Sequence, residues 1–101
     1  MVKDRLGLVF TDEELARVTI NEEQDYLNII VDVHGLKCRE ARRIINNIIN
    51  ILRVKSQLIV IHGYNHGTAI KDMLATNFSN THVTNNYLDS YNQGVTHLLV
   101  A

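Results

Sequence analysis

From residue 27 onward the hydrophobic and polar positions follow two clear periods. "LNIIVDVH" (27–34) alternates strictly: Leu27, Ile29, Val31 and Val33 fall on one face, Asn28, Ile30, Asp32 and His34 on the other. A period of two in β-branched residues predicts a half-buried strand. In "KCREARRIINNIINILRV" (37–54), Cys38, Ala41, Ile45, Ile48 and Leu52 recur at steps of three and four, with Ile44, Ile49 and Ile51 widening the stripe. That spacing predicts an amphipathic helix whose outer face carries Arg39, Arg42 and Arg43. "QLIVIH" (57–62) reads as a second buried strand, and a helix over about 68–77 turns Ile70, Met73 and Leu74 inward. "HVTNNYLDS" (82–90) and "VTHLLV" (95–100) are two more strands, joined around "YNQG", where Asn92 and Gly94 supply turn chemistry. The expected order is βαβαββ. The helix-linked strands should run parallel through a right-handed crossover and the last two antiparallel. The fold class is therefore α/β, a two-layer sandwich with a mixed four-stranded sheet over residues 27–101.

Residues 1–26 read as an acidic N-terminal extension. "TDEE" (11–14) fits a capping box, with Thr11 as N-cap and Glu14 reaching back, ahead of a short helix over about 12–18. The 101 residues suffice for one modest core, and without proline the elements must be separated by Gly, Asn and charge. The net charge of −1 conceals an asymmetry. Residues 1–32 hold eight acids against three bases, and residues 37–55 hold six bases against Glu40 alone. The basic segment can meet a polyanion, or the acidic extension can dock on it. No apolar run approaches a membrane span and the start has no secretory pattern. A lone Cys38 excludes an internal disulfide framework. A cytoplasmic location, with no membrane partner, is expected.

Ligands of parallel sheets bind outside the carboxyl ends of the strands. There the first strand ends in Asp32-Val33-His34-Gly35 and the second in His62-Gly63. A carboxylate two residues from a histidine on one strand face can orient the imidazole and stabilise its charged form. "HGYNHGTA" (62–69) then leads through two glycines into a helix N-terminus, an arrangement that holds phosphate groups without being a Walker or dinucleotide loop. Plainer readings stand beside these. Asp32 could cap the helix at 37 or pair with Arg39 or Arg42, and His34 or His66 could be turn residues. His82 and His97 alternate with apolar neighbours and read as structural, and Cys38 as core. A zinc site from Asp32, His34, His62 and His66 matches no recognised ligand spacing.

"VDVHGLKCREA", "LIVIHGYNHGTAIKDML" and "NQGVTHLLV", in that order and spacing, resemble the Smr (small MutS-related) domain over about residues 27–101, in a short stand-alone bacterial form. The resemblance implies a βαβαββ sandwich similar to the C-terminal domain of a translation initiation factor. It also implies nucleic-acid binding with endonuclease activity, RNA favoured and DNA nicking the other option. The family's Asp-x-His corresponds to Asp32 and His34, and its glycine loop to Gly63 and Gly67. His62 stands just before that loop, and Tyr64 where relatives commonly carry a lysine. The expected catalytic set is Asp32, His34, His62 and His66. The phosphate-binding set is Gly63, Tyr64, Asn65, Gly67, Thr68 and Lys71. The nucleic-acid contacts are Lys37, Arg39, Arg42 and Arg43. No cofactor is required, a divalent ion such as Mg being the one candidate, because RNA supplies its own 2′-OH nucleophile. The expected partner is RNA or DNA, with the ribosome a further candidate. The rival expectation is a nucleic-acid or ribosome-binding module that does not cut, and a third is a protein adaptor using the acidic extension.

Overall fold

The structure, a computed structural model, describes residues 2–23, 26–52, 54–64 and 67–101. The elements are α1 (Val2–Val9), α2 (Asp12–Leu15), β1 (Val18–Glu23), β2 (Tyr26–Asp32), α3 (Cys38–Ile51), β3 (Ser56–Ile61), α4 (Ala69–Thr76), β4 (Val83–Leu88) and β5 (Val95–Val100). The strands form one mixed sheet in the order β1-β2-β3-β5-β4. Only β2 and β3, linked by α3, run parallel; the other three pairings are antiparallel.

The alternation in β2 has the expected physical result. Leu27, Ile29, Val31 and Val33 are buried, while Asn28, Ile30 and Asp32 lie half-exposed on the other face. Leu58 and Val60 of β3 and Leu98 and Val100 of β5 extend the buried face. Ala41, Ile44, Ile45, Ile48 and Ile49 of α3 and Ile70, Met73 and Leu74 of α4 pack on it in one cluster. The stripe of α3 is wider than the three-four spacing alone suggests, because Ile44 and Ile49 are as buried as Ile45 and Ile48. The helix ends at Ile51, short of the expected residue 54, where Leu52 turns to an extended backbone.

The sheet has five strands rather than the expected four. β1 adds antiparallel to the free edge of β2, pairing Val18 with Val31 and Ile20 with Ile29, so its two apolar residues join the buried face. The helix expected over 12–18 stops at Leu15, because the chain turns at Ala16–Arg17 to enter β1. The capping box forms as expected: Thr11 Oγ1 accepts from Glu14 N–H and Glu14 Oε1 accepts from Thr11 N–H. From α1, Leu6 reaches the core, followed by Phe10 just beyond it. Burying each removes enough apolar surface from water to stabilise the fold by about 2 kcal/mol.

Candidate functional site

Because β2 and β3 are parallel neighbours, their last residues lie side by side. Asp32 is opposite Ile61, and Val33 N–H donates to Ile61 O. Each chain then turns toward a helix on the buried face. After β2 a turn closes with Leu36 N–H donating to Val33 O, and its third residue, Gly35, has φ 78°. A side chain there would strain the backbone, which is why the histidine is followed by glycine. After β3, Gly63 (φ 73°) and Gly67 (φ 123°) also have the positive φ that favours glycine. A Cβ on Gly63 would sit 3.7 Å from His34 Cβ, so the two turns touch. Cys38, the first residue of α3, donates its Sγ–H to the carbonyl of Ala69, the first residue of α4, at 3.1 Å. Two helix N-termini thus open side by side.

At this edge Asp32 Oδ1 accepts from the His34 backbone N–H (3.1 Å) and makes a close contact with His34 Nδ1. Since the carboxylate only accepts, the neutral imidazole carries its proton on Nδ1 and presents the lone pair of Nε2 outward. The His34 side chain is 65% exposed, open to a proton donor from solvent or substrate.

Beside His34 lies a cavity of about 400 Å³. Leu36, Ile61 and Ile70 form its apolar floor, Gly63 and Gly67 its wall, and His34, Tyr64 and Lys71 its polar rim. Neither Lys37 nor Thr68, the N-cap residues of α3 and α4, caps its helix with a side chain. Thr68 Oγ1 donates instead to Asp72 Oδ2 at 2.8 Å. The first-turn N–H groups of each helix have no intrahelical acceptor and carry roughly half a positive charge between them. An anionic group in the cavity would meet the first turn of α4 and the Lys71 ammonium.

His62 also lines the cavity but is only 6% exposed. Its Nδ1–H donates to Gly63 O and its Nε2 accepts from Thr96 Oγ1, both at 2.8 Å. Burial holds its pKa below the ordinary histidine value, partly offset by the Gly63 carbonyl and reinforced by the Lys71 charge. The ring is therefore a neutral brace between β3 and β5. Two residues that complete this brace escaped the sequence reading. Thr96 is a buried hydroxyl in an otherwise apolar strand. Gly94, in the turn before it, receives both His62 N–H and Gly63 N–H on its carbonyl. The signal was there in "GVTH", a glycine followed by an inward threonine.

The remaining expected site residues divide. Tyr64 stands 49% exposed at the cavity mouth. Asn65 and His66 lie outside the described residues. On α3, Lys37 and Arg39 are exposed near its N-terminus and Arg42 is half-exposed. Arg43 is instead paired with Glu14 of the N-terminal segment. Among the described residues no three His, Cys, Asp or Glu side chains gather as metal ligands, and no helix is long and apolar enough to cross a membrane. A scan against protein-family models and a search of curated proteins each give no match to the chain.

Proposed function

We infer that this is a nucleic-acid-directed domain of the small MutS-related type that cleaves RNA at a phosphodiester held between His34 and the cavity. One observation carries this reading. An imidazole oriented by Asp32, with Nε2 open, stands beside a cavity lined by the uncapped first turn of α4, next to which the N-terminus of α3 begins. Both halves are needed: a base for the 2′-OH, and fixed positive charge for the phosphate.

In this scheme His34 Nε2 takes the proton of the 2′-OH, and the resulting oxygen attacks the adjacent phosphorus. Asp32 holds the ring and stabilises the imidazolium that forms. Negative charge accumulating on the phosphorane meets the first-turn amides and Lys71, donors that need no reorganisation during the reaction. The P–O5′ bond breaks, giving a 2′,3′-cyclic phosphate and a 5′-hydroxyl. The leaving oxygen takes its proton from solvent or from His66, since both nitrogens of His62 are engaged. Hydrogen bonding gives His62 a positioning role here.

The test is incubation of single-stranded and structured RNA with wild type, Asp32→Ala and His34→Ala, with and without EDTA, followed by identification of the product ends. Cyclic phosphate ends, insensitive to EDTA and reduced on the order of 10²-fold or more in His34→Ala, support the scheme. Equal product from wild type and His34→Ala sinks it. A second reading is favoured by Lys37 and Arg39, exposed at the N-terminus of α3. It makes the domain an RNA- or ribosome-binding module without cleavage. In that case His34→Ala binds RNA as wild type does, and a Lys37→Ala/Arg39→Ala variant loses affinity and salt dependence.

A further inference from the structure

The residue opposite Asp32, just before the neighbouring strand begins, is a cation. Val18 pairs with Val31, so one step further Arg17 faces Asp32, and Asp32 N–H donates to Arg17 O at 2.9 Å. In an antiparallel pair bonded this way, the Arg17 N–H would return the bond to Asp32 O. It does not, because the turn after α2 directs that N–H to Glu14 O. Asp32 O is satisfied instead by the Arg17 guanidinium, with Nη1 at 3.0 Å. The side chain is half-buried against the sheet edge. A guanidinium has five N–H donors, and among the described residues Asp32 O is the one acceptor this group has.

The position matters more than the bond. Lys71 and the N-terminus of α4 lie on the β3–α4 side of His34. Arg17 lies on the opposite, β1 side, fixed by the backbone of Asp32. Adjacent strands are about 4.8 Å apart, so the end of β1 and the end of β3 are separated by roughly 10 Å. That width exceeds one phosphate group. We propose that Arg17 binds the phosphate next to the one held at His34, so that the substrate backbone runs from the β1 edge across the ends of β2 and β3 toward α4. The assignment rests on the reading of His34 as the residue facing the scissile phosphate. It makes the N-terminal segment part of the substrate site.

The alternative is that Arg17 only closes the end of the sheet ladder. Arg17→Gln removes the charge and Arg17→Lys restores it, while the melting temperature of each reports whether the end of the ladder is disturbed. The substrate is a DNA oligonucleotide with a single ribonucleotide, which fixes the cleavage register, carrying one uncharged methylphosphonate on either side of the scissile phosphate. Wild type should lose about tenfold in kcat/KM with the methylphosphonate at one of the two neighbours, the scale of one charge-assisted hydrogen bond. Arg17→Gln should show a similar loss on the unmodified strand, through KM, and no further loss at that neighbour. Arg17→Lys should recover most of it, and melting temperatures should stay within a few degrees. Additive losses at both neighbours, or wild-type kinetics in Arg17→Gln, would overturn the assignment. If wild type does not cut this reporter, the RNA assay above decides the cleavage reading separately. The contact is then judged by RNA binding against salt. A slope reduced by about 0.7 in Arg17→Gln upholds it, and an unchanged slope overturns it.

Discussion

At the scale of single residues, the candidate site contrasts two histidines. His34 has one nitrogen fixed by Asp32 and the other exposed, whereas His62 has both nitrogens satisfied and is buried. The sequence shows both as strand-end histidines followed by glycine, set apart locally by Asp32 two residues before His34. What engages His62 is Thr96, thirty-four positions away, whose hydroxyl reaches His62 Nε2 only once β5 lies beside β3. The difference has a pH signature. Because the folded state holds the His62 pKa below its ordinary value of 6.5, the unfolded chain binds a proton more readily there. The stabilisation is then fully present above 6.5 and is lost as pH falls below that value toward the folded pKa. Thermal unfolding followed across this range should show wild type losing stability on acidification. His62→Gln, which does not titrate, should show a flatter profile between neutral pH and the onset of carboxylate protonation. Parallel profiles for the two proteins would remove His62 as the source.

At the scale of elements, the long periodic segments were legible because burial decides their faces. α4 was expected over 68–77 and occupies Ala69–Thr76, with the same three residues inward, and β5 matches its expected span. β1 was not legible, although Val18 and Ile20 alternate correctly, because "VTINEE" ends in acids that disfavour strands and pairs only along one edge. The contact between turns was also hidden. A Cβ on Gly94 would stand 3.1 Å from Gly63 Cα, tighter than most packed carbons, so the β4–β5 turn and the β3–α4 turn approach as bare backbone. Because β3 lies between β5 and β2, Gly94→Ala should therefore press the Gly63 turn toward the His34 turn. We expect a destabilisation of about 1–3 kcal/mol, the range for overpacking a tight contact. Cleavage by the folded fraction should fall further than that of Gly7→Ala, a control in open space. Unchanged melting temperature and activity in Gly94→Ala would show that the turn yields without cost.

For the whole molecule, the charge asymmetry in the sequence offered two readings, a polyanion surface on α3 or a dock for the acidic segment. The fold uses part of the basic surface for docking, where Glu14 takes Arg43, and Arg5 Nη1 adds a bond to Ile51 O, while Lys37 and Arg39 stay exposed. An exposed ion pair of this kind contributes only about 0.2–1 kcal/mol. Apolar anchoring outweighs it, since truncating a buried leucine or phenylalanine to alanine costs about 2–5 kcal/mol. Leu6 and Phe10 are both buried in the common core, and β1 covers the edge of β2. A domain of this size has a total stability of only about 5–15 kcal/mol. Leu6→Ala/Phe10→Ala should therefore lower the melting temperature by well over 10 °C, at about 4–8 °C for each kcal/mol. Glu14→Gln should move it by no more than a few degrees. Removing residues 1–23 goes further, because it also bares the backbone donors and acceptors of β2 beside the candidate site. An unpaired edge strand is a template for another chain. The shortened protein should elute as dimers or larger species in size-exclusion chromatography with light scattering, and should lose RNA binding with Arg17. A monomeric, stable product that binds RNA as the full chain does would show that the α3–α4 half of the molecule is sufficient by itself.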